Sequence, residues 1–182
     1  MRVPYEAPDF RTLFEHSPGC YLVLDNRFTI VTVSDAYCRA TMTVREDILG
    51  CALFEVFPDN PDDSGADGVA NLRASLLNVI KFRRVDRMSD QKYDIRTPDG
   101  TFVERYWSPV NSPVLGADGY VRWIIHAVED VTELTQLRLA EAAATKRALL
   151  YERNAADLRT TNEGLMEKIA LLRASLKRMS GE

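Results

Sequence analysis

Two histidines, three cysteines, an acidic loop and a set of aromatic residues are the parts of this chain whose chemistry could reach beyond packing. His16 and His126 are the only imidazoles, and each has the lone pair needed by an axial haem ligand or an acid–base group. Cys20, Cys38 and Cys51 are odd in number and far apart. That argues against a disulfide framework or a zinc site and for a reducing, cytoplasmic setting. Asp59-Asn60-Pro61-Asp62-Asp63 offers carboxylates to a divalent ion. It lacks the spacing and closing Glu of a calcium loop, so a solvated loop is the better reading and no metal site is expected. Small-molecule pockets are mostly apolar with a few placed polar groups. On that criterion the pocket candidates are Tyr37, Tyr93, Arg105, Trp107, Trp123 and His126. Strand alternation sets Arg105 and Trp107 on one face and Tyr106 on the other, and sets His126 opposite Trp123 and Ile125. Which parity faces a pocket stays open, and Trp107 and Trp123 read more readily as core or dimer-surface aromatics than as ligand contacts. No Gly-rich phosphate loop and no Gly-X-Ser-X-Gly elbow is present, so no catalytic role is expected.

The elements that must position these residues follow from pattern and punctuation. Residues 9–17 read as a short helix stopped by Pro18-Gly19. Residues 20–25 and 28–33 read as a hairpin about Asn26-Arg27. Ser34-Asp35 offers a cap for a helix over 36–41. Thr43 followed by Glu46 fits a capping box, with Gly50 closing the helix it starts. One more turn, residues 52–57, ends at Pro58. The Asp-, Pro- and Gly-rich stretch 59–68 is a loop. Val69, Leu72, Leu76 and Ile80 then keep helical spacing. The basic tail Lys81-Phe82-Arg83-Arg84 invites a phosphate, but cations near a helix C-terminus are favoured by the dipole in any case. Three strands follow, over 91–96, 101–109 and 120–128, separated by Pro98-Asp99-Gly100 and Ala117-Asp118-Gly119. This order predicts an α+β domain, a five-stranded antiparallel sheet with helices on one face.

The net charge of −4 over 182 residues is split between an acidic part up to residue 132 and a mildly basic remainder. Neither half is basic enough for a nucleic-acid surface. Pro4, Glu6, Pro8 and Asp9 rule out the apolar core of a signal peptide, and no apolar run approaches the ~18 residues of a membrane span. A cytoplasmic protein with no membrane or nucleic-acid partner is expected.

The element order, together with several local motifs, resembles the PAS family over roughly residues 10–133. Phe54-Glu55-Val56-Phe57-Pro58, Asp99-Gly100-Thr101-Phe102 and Asp130-Val131-Thr132 are similar to the PAS turn, second hairpin and closing Asp-X-Thr motif. Tyr106-Trp107-Ser108-Pro109-Val110-Asn111 with Ile124-Ile125-His126 resembles a subfamily found in bacterial sensor histidine kinases and related signalling proteins. The resemblance implies a PAS fold with a pocket between the inner sheet face and the short helices. Many members carry Asn where Asp35 stands, so a charge is expected near the pocket mouth. Haem and flavin are both known cofactors of the family, and neither is favoured here. The long helix, where one haem-binding group keeps its ligand, has no His, and Cys38-Arg39 follows Tyr37 rather than the Asn of the LOV photochemical motif. A non-covalent flavin and a colourless ligand stay open.

After Asp130-Val131-Thr132-Glu133 the chain has no Pro, and a seven-residue repeat takes over. With Leu134 at position a, the a line runs through Glu141, Ala148, Ala155, Asn162, Ile169 and Leu176. The d line runs through Leu137, Ala144, Tyr151, Leu158, Leu165, Leu172 and Met179. This is a coiled-coil pattern, weak from Glu141 to Ala148 and strong from Leu158 onward. Asn162 at an a position favours a parallel dimer in register, whereas Lys168 and Arg173 would repel mildly across it. A packed helix in a bundle or a hetero-assembly is the alternative. The expected organisation is an N-terminal helical cap (1–19), a PAS domain (20–132) and a coiled-coil signalling and dimerisation helix (133–182). Asp130 and Thr132 form the expected signal junction. The expected function is that of a homodimeric sensor or adaptor in bacterial two-component signalling, with a kinase or another signalling protein as output partner. The alternatives are a ligand-free dimerisation module and the N-terminal sensory part of a histidine kinase. No kinase catalytic region is present, and neither His lies in the C-terminal helix.

Overall fold

A computed structural model describes residues 7–179. The first six residues of the N-terminal cap, and Ser180, Gly181 and Glu182 at the other end, lie outside the described residues. The chain divides into two units at Glu133/Leu134.

The first unit opens with α1 (Phe10–Glu15), capped by the Asp9 carboxylate, which accepts from the Arg11 and Thr12 N–H groups. β1 (Cys20–Asp25) and β2 (Ile30–Val33) form the expected hairpin, but β2 starts two residues later than the apolar run. Phe28 adopts φ 65°, a left-handed turn conformation. The Asp25 carboxylate holds that turn by accepting from the Arg27 and Thr29 N–H groups at 2.8 Å each. Three short helices follow: α2 (Asp35–Thr41), α3 (Arg45–Ile48) and α4 (Leu53–Val56). The capping box expected at Thr43 and Glu46 does not form. Val44, whose side chain has no hydrogen-bonding atom, is the N-cap instead, and the Thr43 hydroxyl pairs with that of Thr41 at 2.9 Å.

α5 (Gly68–Phe82) buries Leu72, Ser75, Leu76 and Val79. Val69 and Ile80, expected on the same face, lie at its half-buried edges. The helix start is capped from a distance, the Asp59 carboxylate accepting from the Val69 N–H at 3.0 Å. At its other end the Arg83 guanidinium lies 4.6 Å from the centre of the Tyr120 ring.

The sheet is antiparallel, in the order β2-β1-β8-β7-β3, with β4 on the same edge of β7 as β3. β7 (Tyr106–Leu115) and β8 (Val121–Asp130) are its long central pair. The expected strand over 91–96 is two pieces, β4 (Gln91–Lys92) and β5 (Ile95–Arg96), and β5 pairs separately with β6 (Phe102–Val103). Tyr93 and Asp94 leave the ladder between them. Tyr93 turns inward so that its hydroxyl donates to the Phe57 carbonyl at 2.6 Å, and Asp94 accepts from the Asn60 amide at 2.8 Å. β3 (Asp86–Arg87) was not anticipated from the pattern. The main sheet therefore holds six strands rather than five.

Leu22 and Leu24 of β1, Ile124 of β8 and Leu76 and Val79 of α5 are completely buried between sheet and helices. Each fully buried aliphatic side chain contributes about 1.5–3 kcal/mol. Ser34, equally buried, ties this core to the short helices. Its hydroxyl donates to the Gly19 carbonyl at 2.8 Å and accepts from the Tyr21 and Tyr37 N–H groups.

The second unit is helical. α6 (Thr132–Met179) runs unbroken for 48 residues, about 72 Å at 1.5 Å per residue. Its seam positions Leu158, Leu165, Leu172 and Leu176 are exposed in the single chain. Among the described residues, no helix is long and apolar enough to cross a membrane.

Replacing Ser34 with Ala removes one donor and leaves two buried N–H groups without their acceptor. We expect a loss of about 1–3 kcal/mol in stability with the fold retained, measured by urea unfolding.

Candidate functional site

The β7–β8 register decides which side chains face inward. Asn111 pairs with His126, Pro109 with Val128 and Ser112 with Ile125. The Trp107, Pro109 and Asn111 parity of β7 and the Ile124, His126 and Val128 parity of β8 therefore point at α5 and the short helices. Of these, Trp107, Pro109, His126 and Val128 line a partly open cavity of about 40 Å³, together with Tyr37, Phe57, Gly68, Leu72 and Tyr93 among others.

Four of the six sequence candidates, Tyr37, Tyr93, Trp107 and His126, line this one cavity. Trp123 does not. It sits on the opposite parity of β8 and is 40% exposed, beside the Arg122 guanidinium. Arg105 does not line it either. It lies between β6 and β7, with Nε 3.7 Å from an Asp130 carboxylate oxygen, and so belongs to the strand–helix junction.

His126 is the chemical centre of the cavity wall. Its Nδ1 is 2.7 Å from Asn111 Oδ1, and the Asn111 amide nitrogen donates to Ser75 Oγ at 2.8 Å and faces Met88 Sδ at 3.6 Å. The Met88 sulfur has no hydrogen to donate, which sets the amide nitrogen on that side and its oxygen toward the histidine. Nδ1 therefore carries the ring proton. Burial pushes the imidazole pKa down to about 4, so it is neutral near pH 7. Tyr37 packs edge-on to it at 6.1 Å between ring centres. Burial raises the pKa of both the Tyr37 and the Tyr93 phenol. The Trp107 indole N–H donates to the Tyr93 carbonyl at 2.9 Å.

Asn111 and Ser75 were not singled out in the sequence, although the signals were there. Asn111 shares the parity of Trp107, and Ser75 lies three residues after Leu72 on the buried stripe of α5. The charge expected near the pocket mouth is absent from the cavity lining. Asp35 is paired with the Arg45 guanidinium, whose hydrogen bond holds the carboxyl below its usual range. His16 sits at the surface, its Nε2 3.8 Å from Asp35. No cysteine lines the cavity, and burial raises the Cys20 and Cys38 thiols. The acidic loop is a strap: Asp63 pairs with Lys92, Asp59 caps α5 and Asn60 holds Asp94. No cluster able to hold a metal ion occurs among the described residues.

Pockets for drug-sized ligands and cofactors span roughly 300–1,000 Å³. A water position needs about 10–15 Å³. Neither haem nor flavin fits the space beside His126 as it stands.

The junction lies at the far end of β8. Asp130 Oδ1 accepts from the Thr132 N–H at 2.9 Å and from the Thr132 hydroxyl. The same hydroxyl oxygen accepts from the Tyr106 N–H at 3.0 Å, and the Val131 N–H donates to the Tyr106 carbonyl at 2.9 Å. Thr132, the first residue of α6, is thus fastened to the start of β7 and the end of β8 together.

An antiparallel sheet folded over short helices and one long helix, with a small inner cavity, defines the class, and comparison with known proteins agrees. The family described as PAS fold matches residues 14–136. The chain belongs to that family. Among solved structures it is similar to a PAS domain from Colwellia psychrerythraea, at 11% identity and a TM-score of 0.51, covering 67% of this chain and 93% of that one. It is similar to the PAS domain of the fruit-fly ELK potassium channel at 15% identity and a TM-score of 0.50, covering 66% and 93%. The LOV protein of Rhodobacter sphaeroides, at 15% identity and a TM-score of 0.50, is matched over 66% of this chain and 64% of that one. These likenesses concern the fold. No curated protein matches the chain.

A depressed histidine pKa makes stability depend on pH. The unfolded ring takes a proton below about pH 6.5, and the folded ring only near pH 4. The contribution is therefore full above pH 6.5, falls as the pH drops toward 4 and is flat below. Its total is on the order of 3 kcal/mol, from about 1.4 kcal/mol per pKa unit. NMR of the His126 ring should show no protonation between pH 8 and about pH 5. A midpoint near 6.5 would refute the buried, neutral assignment.

Proposed function

We propose that this chain is a PAS sensor or adaptor module of bacterial signal transduction, passing a rearrangement of its cavity or dimer surface into α6. The observation that carries this reading is the fastening of Thr132 to Asp130 and to Tyr106. A shift in the end of β7 or β8 reaches the first turn of the helix through direct hydrogen bonds. The module has a regulatory role and acts on an output partner, such as a sensor kinase, rather than carrying catalysis itself.

The helix supports the dimeric part of the reading. Leu134, Leu137, Leu158, Leu165, Ile169, Leu172, Leu176 and Met179 form an apolar line exposed in the single chain. Burial of such a line is the main drive for pairing, and Asn162 within it favours the parallel, in-register arrangement. A second reading, a dimerisation module without a ligand, is favoured by the small volume of the cavity. The two share the dimer and differ in whether the cavity is occupied.

Two measurements test the proposal. In a fusion of this chain to a kinase core, Asp130→Ala should preserve the folded domain by circular dichroism while changing kinase output. Output equal to that of the wild-type fusion would sink the junction. Sedimentation equilibrium of the whole chain should give a dimer that Leu165→Asp with Leu172→Asp converts to monomer. An unaltered mass would reject the seam as the dimer contact.

A further inference from the structure

The cavity wall is almost fully paired with itself. The Tyr93 hydroxyl is given to the Phe57 carbonyl, the Trp107 indole to the Tyr93 carbonyl, and Gln91 is bonded to Asn71 and Ser89. The Thr41 hydroxyl bonds the Tyr37 carbonyl. Two polar functions are left over. The Tyr37 hydroxyl has no hydrogen-bond partner among the described residues, although the ring is 95% buried (5% exposed). His126 Nε2 has none either, its ring bonding only through Nδ1 and the residue being 3% exposed. One is a donor. The other, because Nδ1 holds the proton, is a lone-pair acceptor. Polar groups left unpaired in such surroundings cost desolvation energy, and a guest that satisfies both recovers it.

Nothing lining the cavity carries a formal charge. An ionic guest would lose its hydration without a counter-charge. The volume of about 40 Å³ is roughly three water positions, room for three or four heavy atoms. We propose that this cavity binds a small uncharged molecule presenting a hydrogen-bond acceptor next to a donor, of the primary-amide or hydroxyl class, with Tyr37 Oη donating to it and His126 Nε2 accepting from it. This assignment rests on the sensor role proposed above and names the chemical class of the signal.

Acetamide, acetone and acetate are matched probes: acceptor with donor, acceptor alone, and charged. Binding is read on the full chain as shifts of the Trp107 indole and His126 ring resonances. Acetamide should give a saturable shift with an affinity in the millimolar range, as its size dictates. Acetone and acetate should each bind at least about tenfold more weakly. Tyr37→Phe, which removes one oxygen and keeps the ring, should weaken acetamide by about five- to tenfold and acetone by a similar factor, because the carbonyl of each accepts from that hydroxyl. The free His126 ring should show the Nδ1-protonated tautomer by nitrogen chemical shift. Acetone binding as tightly as acetamide, no saturable shift with any probe, or the opposite tautomer would each overturn the assignment. Because these readouts lie at the cavity, they are independent of α6. A null result here, with Asp130→Ala still altering the output of the fusion, removes the ligand class and leaves the junction standing.

Discussion

The register of β7 against β8 is the constraint on which the rest of the domain depends. The two strands pair from Trp107 opposite Asp130 to Leu115 opposite Val121. That one alignment sets Asn111 opposite His126 in the interior, and it brings the first residues of β7 alongside Asp130 at the sheet's end. Cavity and junction are therefore two readings of a single ladder, several residues apart along it. A slip by one residue would turn His126 to solvent and place Ile125 against α5. The Ser75–Asn111–His126 chain resists such a slip, because the Asn111 amide oxygen would then be left buried without its histidine partner, at a cost of about 1–3 kcal/mol. A polar relay in an apolar core contributes less to net stability than to specifying one arrangement over its neighbours.

Much of this architecture was legible in the residues. Turn punctuation at Pro98-Asp99-Gly100 and Ala117-Asp118-Gly119 marked the strand boundaries, helical spacing marked α5, and Asp130-Val131-Thr132 marked the end of the domain. Period-two alternation also separated His126 from Trp123 before either had a place in space. Which parity faced inward was not legible. It depends on which side of the sheet α5 packs against, and both parities of β8 contain large apolar residues. Trp123 lies outside for that reason, its partner on the outer face being Asp25 of β1 rather than a helix.

Other features escaped because distant residues supply them. α5 reads as lacking a local cap, since Asp67 makes no side-chain cap bond and Asp59 reaches across the loop instead. The expected strand over 91–96 has good alternation, yet Tyr93 is worth more inside, where its ring closes the cavity and its hydroxyl finds the Phe57 carbonyl. Gly68 makes that inward turn sterically feasible, since a Cβ there would come within 2.3 Å of the Tyr93 ring. The acidic loop, expected to be solvated, is held by Lys92 and by backbone N–H groups. Local pattern specifies an element's type well; which residue of a neighbouring segment completes it is a property of the assembled fold.

The placement of the two tryptophans has an optical consequence. Trp107 is 4% exposed and in the cavity wall, whereas Trp123 is 40% exposed on the outer face. An indole shielded from water emits at shorter wavelength than one in contact with it. The intrinsic fluorescence of the protein is thus a superposition of two colours, one belonging to the interior and one to the outer surface of the same strand pair. Events inside the domain and events on its outer face write to different parts of one spectrum, without any label attached to the chain.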